Sequence, residues 1–190
     1  MQGKAFGLAA LAAASIGLLY GPTFEAVHLA VFAVVLAVAA NIDQETRRIP
    51  NVLVLIAFAV QLAYIAVMWV GGAGEAVELL VRSFVGAAAI GGGLFVFTIV
   101  VDSLRGGKNM GGGDVKLFAA VGLYLGLSMG LVVVALSCAL GGCASLLMRG
   151  KPFRSATEPP GTFPLGPAIA ATTIASMLIM SPVIQSLIMS

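Results

Sequence analysis

Apolar runs about twenty residues long follow one another along almost the whole chain, with short polar links between them. A helix needs about 20 apolar residues to cross a bilayer. In hydrocarbon every backbone N–H and C=O must be paired within the structure, so runs of this length fold as spanning helices. Composition agrees: 60% of the 190 residues are hydrophobic and 9% are charged, against about 25% charged in soluble domains. Mean hydropathy is +1.09. A soluble globular fold is excluded, and a net charge of +2 gives no basis for nucleic-acid binding. The expected fold class is all-α, a polytopic transmembrane helix bundle forming one integral-membrane domain over 1–190.

Seven spans are expected, over 5–20, 24–42, 51–70, 81–103, 115–127, 130–148 and 164–188. The fifth is short. From Val115 to Met148 the chain is apolar except for Lys116, which is too long for one span, and Gly126-Leu127-Ser128-Met129-Gly130 is the natural place to turn. Six spans, with the fifth half-inserted, is the alternative. Lys4 precedes an apolar run, as in a signal peptide, but no small-x-small cleavage site follows before the second run, so the first span reads as a retained helix.

Basic residues orient the bundle. Lys4, the pair Arg47 and Arg48, then Arg105 with Lys108, and then Arg149, Lys151 and Arg154 all fall on one side when there are seven spans. The opposite links, Gly21-Pro22-Thr23, Gly71 to Glu78 and the 128–130 turn, hold no Lys or Arg. Arg82, at the outer start of span four, breaks the pattern. The expected amino terminus is cytoplasmic and the carboxyl terminus is outside.

Carboxylates near hydrocarbon are costly and are functional candidates by default. Glu25, Glu75 and Glu78 fall near the outer interface and Glu158 in a loop, where water solvates them. Asp43, Glu45, Asp102 and Asp114 gather at the cytoplasmic face. Asp43 ends span two and Asp114 opens span five, so the topology sets both at one membrane depth. Two such carboxyls suit general acid–base work on a peptide bond, one activating water and the other, protonated, polarising the carbonyl. Close together they cannot both ionise easily and share a proton. Helix dipoles alone would leave the charge on Asp114, near an amino end, and the proton on Asp43, near a carboxyl end.

Asp114 follows three glycines in Lys108-Asn109-Met110-Gly111-Gly112-Gly113-Asp114-Val115-Lys116-Leu117. Gly111, Gly112 and Gly113 remove side-chain bulk where a substrate backbone could lie. The same pattern also suits an aspartate that only caps a helix behind a hinge. A phosphate-cradling loop is disfavoured, because no strand precedes it and no Gly-Lys-Ser/Thr follows. Cys138 and Cys143 are five apart in an apolar run, which is not a metal-ligand spacing, and read as small buried hydrophobes.

Gly111-Gly112-Gly113-Asp114 resembles the Gly-x-Gly-Asp motif of intramembrane aspartic peptidases. Continued through Lys116-Leu117 to Gly122-Leu123-Tyr124-Leu125-Gly126, it is similar to the type IV prepilin peptidases. Asp43 followed by Arg48-Ile49-Pro50-Asn51 resembles that family's first catalytic aspartate and its Ile-Pro-Asn. Phe163-Pro164-Leu165-Gly166-Pro167 resembles its late Pro-x-Gly-Pro. The matches keep the family's order.

The resemblance implies an aspartic endopeptidase of the cytoplasmic membrane that removes the short basic leader of pilin-like precursors at the cytoplasmic face. Asp43 and Asp114 carry over as the catalytic pair. Gly111, Gly112, Gly113 and Lys116 are the expected substrate-binding residues, with Lys116 either snorkelling to headgroups or ordering the site. Glu45, Asp102 and Glu158 are candidates to attract the basic leader. No metal or cofactor is expected. The partners are the pilin-like precursor and the lipid bilayer, with no nucleic acid, and the oligomeric state is left open. Bifunctional family members also carry a zinc-binding Cys-x-x-Cys domain and methylate the new amino terminus. This sequence has no Cys-x-x-Cys, so the short, peptidase-only form is expected. The competing reading is a proton-coupled transporter or channel using interfacial aspartates, which would favour acids at the midplane and two related halves.

Overall fold

Helix makes up nearly all of the backbone in the computed structural model, which describes residues 2–105, 111–147, 165–182 and 185–186. In order these are α1 (Gln2–Tyr20), α2 (Phe24–Thr46), α3 (Asn51–Gly71), α4 (Ala73–Arg105), α5 (Gly112–Leu147) and α6 (Gly166–Ile179). No strand occurs among the described residues. Four helices are long and apolar enough to cross a membrane: α2, α3, α4 over 73–104, and α5. Two shorter apolar helices, Ala9–Tyr20 and Gly166–Ile179, join them. The chain is a multi-pass membrane protein.

Local chemistry sets the helix ends. Thr23 has extended backbone angles and its Oγ1 accepts the Ala26 N–H at 3.1 Å, which caps α2, and Glu25 in the first turn complements the dipole. At the other end Arg47 turns into the left-handed region (φ 54°) and its N–H donates to Asp43 O at 3.0 Å. Pro50 then holds an extended backbone ahead of α3. The link expected over Gly71 to Glu78 is only Gly72, because α4 begins at Ala73 rather than 81. Ala73 to Leu80 are mostly good helix formers, with Glu75 in the first turn. The last expected span, 164–188, is shorter as a helix. α6 closes at Ile179, the Met180 N–H turns back onto Ser176 O and Leu178 O, and Pro182 follows.

The burial pattern suits a lipid solvent. Phe32, Leu36, Leu117, Phe118, Leu123 and Ile169 fill the core, while Leu18, Val52, Leu55, Trp69, Val70 and Leu104 face outward. Polar side chains turn inward instead. Gln61 Nε2 donates to Ser83 Oγ at 3.0 Å, which turns its Oε1 to His28 Nε2 at 2.6 Å. His28 lies between Tyr64 and Tyr124, with ring centroids 4.1 and 4.8 Å away, and the Tyr124 hydroxyl donates to Ala57 O at 2.9 Å. This network ties α2, α3, α4 and α5 together far from the aspartates.

α5 is broken at Gly126 (φ 72°, ψ −173°). A Cβ on Gly130 would fall 3.4 Å from Gly122 Cα, although residues eight apart on a straight helix stand about 12 Å apart. The chain therefore folds back on itself there, within the expected 126–130 turn. Both halves lie against α4. Gly86 and Gly122 meet backbone to backbone, a Cβ on Gly122 falling 2.5 Å from Gly86 O, and a Cβ on Gly91 would fall 2.6 Å from the Ala119 Cβ. Small residues allow that approach in a bilayer, where packing rather than the hydrophobic effect joins helices. Arg82, the exception to the charge pattern, donates from Nη2 to Leu125 O at 3.3 Å. It satisfies a carbonyl that the break at Gly126 leaves without a helical partner.

Candidate active site

Asp43 lies one turn before the end of α2 and is buried. Its Oδ2 accepts the Gly166 N–H at 2.9 Å. That N–H is among the first of α6, which have no partner within their own helix, and the positive end of the helix dipole faces the carboxyl. The contact requires a glycine. A Cβ on Gly166 would fall 2.7 Å from Asp43 Oδ2 and 3.0 Å from Cγ. The Arg47 guanidinium adds a positive charge that acts on Asp43.

Asp114 is the third residue of α5 and is half-buried, and its N–H donates to Gly111 O at 3.1 Å. It stands inside the first turn rather than at the cap position. Gly113, the neighbour of Asp114, lies against Ile49, six residues after Asp43, so the fold brings together the helix ends that bear two acids 71 positions apart in sequence (114 − 43). Two carboxyls in that relation can hold one proton between them and divide the roles of acid and base.

The three glycines differ from one another. A Cβ on Gly111 would fall 3.2 Å from Asp114 Oδ2, Gly112 faces open space, and beside Gly113 Ile49 fills the gap, with its Cβ 3.1 Å and its N 3.4 Å from where a Cβ would stand. Lys116 Nζ donates to Asn51 Oδ1 at 2.8 Å. Glu45 is exposed on the last turn of α2, and Asp102 is half-buried near the end of α4, with an interaction partner of its own. Glu158, Lys108 to Met110 and Phe163-Pro164 lie outside the described residues.

The type IV leader peptidase family matches residues 30–146, more than half of the chain. The chain belongs to that family. A relative from Bacillus subtilis (strain 168), "Prepilin leader peptidase/N-methyltransferase", is 30% identical over 167 residues, covering 87% of this chain and 60% of the relative. The chain thus spans less than two thirds of that relative's length. No solved structure matches it. The matched stretch holds both Asp43 and Asp114, together with Ile49, Asn51 and Lys116, and ends before Gly166.

The sequence pattern points to the two carboxyls but assigns no role at the site to Gly166, Ile49 or Asn51. Each stood inside a motif already noticed, Pro-x-Gly-Pro or Ile-Pro-Asn. The signal for Gly166 was a glycine set between prolines at the start of an apolar run. Its partner, 123 residues earlier, is set by the fold alone.

Proposed function

We propose that the chain is an aspartic endopeptidase in which Asp43 and Asp114 remove the short basic leader of pilin-like precursors at the cytoplasmic face of the cytoplasmic membrane. The observation that carries this is the buried Asp43 carboxyl gripped by the Gly166 N–H, with the start of α5 that bears Asp114 packed against Ile49 of the link that follows Asp43. The family membership and the relative's name support the substrate class. The reading includes seven spans with the amino terminus cytoplasmic, so that the basic links at Arg47 and Arg48 share a side with the aspartates.

In this mechanism one aspartate takes a proton from water as it attacks the scissile carbonyl, and the other gives its proton to the carbonyl oxygen. The tetrahedral intermediate collapses as the peptide nitrogen is protonated and the C–N bond breaks. Own-helix dipoles favour the resting charge on Asp114, but the N–H that Asp43 accepts from α6 reverses that preference. In the proposed resting pair Asp43 is the carboxylate and Asp114 carries the proton, and the two titrate as a unit. Gly111 and Gly112 offer the open backbone edge for an extended substrate segment, since the gap beside Gly113 is taken by Ile49. The relative's name also includes N-methyltransferase. For this chain we propose leader cleavage alone; its two cysteines, expected to be buried, are instead exposed along α5 and five positions apart.

Co-expression with a tagged pilin precursor tests the reading. The wild type should convert the precursor to the mature size, and Asp43→Asn or Asp114→Asn should each slow conversion about 10²–10⁴-fold. Undiminished processing by both variants would refute the aspartic mechanism.

A further inference from the structure

We infer that Lys116 and Asn51 are a positioning pair, which with Ile49 and Gly113 staples the α2–α3 link to the first turn of α5 and so sets the spacing of the two aspartates. The inference deepens the proposed function and rests on it.

Asp43 and Ile49 are six residues apart, joined by the end of α2 and a tight turn. The turn is stiff. Arg47 takes the left-handed conformation, Thr46 Oγ1 donates to Arg48 O at 3.3 Å, and Pro50 fixes the entry to α3. The position of Asp43 is therefore carried through to Ile49 and Asn51.

The link then meets α5 on either side of Asp114. Before it, Ile49, itself buried, lies in the space that a side chain at Gly113 would occupy. After it, Lys116 Nζ reaches Asn51 Oδ1 at 2.8 Å. One contact is steric and one is polar, and Asp114 sits between them. A helix start held at two points about one turn apart can neither slide along the link nor roll away from it. Without the polar contact, the α2–α3 link holds the first turn of α5 through Ile49 against Gly113 alone.

The chemistry of Lys116 suits a tether. Its side chain is long enough to reach another helix. Asn51 offers a neutral amide oxygen, so the link brings no new charge to the dyad. Among the described residues, Arg47 at the end of α2 is a charged neighbour of Asp43, and the Lys116 ammonium is bonded to Asn51. Lys116 also lies two residues from Asp114, on a different face of the helix, so its effect on the site runs through Asn51 and the backbone.

The test compares Lys116→Met, Asn51→Ala, the double variant and Lys116→Arg in the full chain, reconstituted with lipid. If the pair positions the dyad, each single loss lowers kcat by about 10²-fold, since small displacements at a reacting centre cost that much. KM stays near its wild-type value. The double variant is no slower than either single, because one link is lost in all three. Lys116→Arg keeps a donor and most of the activity. A second readout needs no substrate: infrared titration of the two carboxyls in the purified protein. Carboxyls held close titrate in two widely split steps. Loosening the staple draws the steps together, and Asn51→Ala does so with no change of charge.

Three results would overturn the inference. A rise in KM at constant kcat would make Lys116 a substrate contact. Parallel movement of both titration steps in Lys116→Met, with none in Asn51→Ala, would make it only a nearby charge. Multiplying losses in the double variant would deny the link. Failure of the wild type to cleave any pilin precursor would count against the proposed substrate, while the infrared steps would still decide for or against the staple.

Discussion

At position 166 there is no room for even a methyl group. A Cβ there would stand 2.7 Å from Asp43 Oδ2 and 2.9 Å from Asp43 Cβ. Gly166→Ala should therefore push the carboxyl aside or break its bond to the amide. The expected result is a fall in processing of about 10²-fold, with thermal stability lowered by no more than about 1–3 kcal/mol. Measured side by side, a large loss of activity with a modest loss of stability would mark Gly166 as a support for Asp43. Equal activity in Gly166→Ala would contradict the geometry. Asp43 and Asp114 were legible in the sequence because acids beside hydrocarbon are rare and Gly-x-Gly-Asp is a specific motif. Gly166 was not, because its role depends on which helix start the fold brings to Asp43. Arg82 was legible only as an exception. Its partner is a backbone carbonyl at Leu125, freed by a break that the sequence located only to within 126–130.

At the scale of elements, α4 and α5 are joined by the absence of side chains. Gly86 and Gly122 touch through their backbones, and Gly126 adopts a left-handed angle beside Arg82. Gly86→Ala should force the two helices apart and lower stability by about 1–3 kcal/mol, read as a drop in the thermal midpoint in detergent. The polar network at the other end of the core gives a different signature. Gln61 is almost wholly buried and joins His28 to Ser83. Gln61→Leu keeps the apolar volume but strands both neighbours, at about 1–3 kcal/mol for each unpaired buried group. Its effect should appear in stability and leave KM for the precursor unchanged. The helices themselves could be read from runs of apolar residues, and α1, α2 and α3 begin and end close to where those runs do. The early start of α4 was missed because Glu75 and Glu78 suggested a solvated loop, whereas acids in the first turns of a helix favour it. Close glycine contacts were missed because apolar periodicity does not say which helices are neighbours.

Across the whole molecule, the lengths of the elements bear on where the dyad sits in the bilayer. From Asp114 to the break at Gly126 the helix rises only about 18 Å, against a hydrocarbon core of about 30 Å. α6, with 14 residues, rises about 21 Å. Both elements that frame the site are therefore short. Arg82 is bonded to the far end of the first arm of α5, and an arginine beside hydrocarbon favours a depth where its head reaches water or headgroups. If the tip of the α5 hairpin is anchored at the outer interface in this way, the arm crosses completely, the aspartates lie below the mean inner surface, and the bilayer thins around them. Single cysteines in a background free of Cys138 and Cys143 test this. With the amino terminus cytoplasmic and seven spans, Ser128→Cys and Glu75→Cys should react with an impermeant maleimide added outside intact cells, and Glu45→Cys only after the membrane is opened. Labelling of Ser128→Cys only after opening would favour the six-span arrangement, with the fifth segment half-inserted. In bilayers of longer acyl chains the same thinning becomes more costly, so cleavage by the reconstituted protein should fall as chain length rises, while a rate indifferent to thickness would argue against a sunken site.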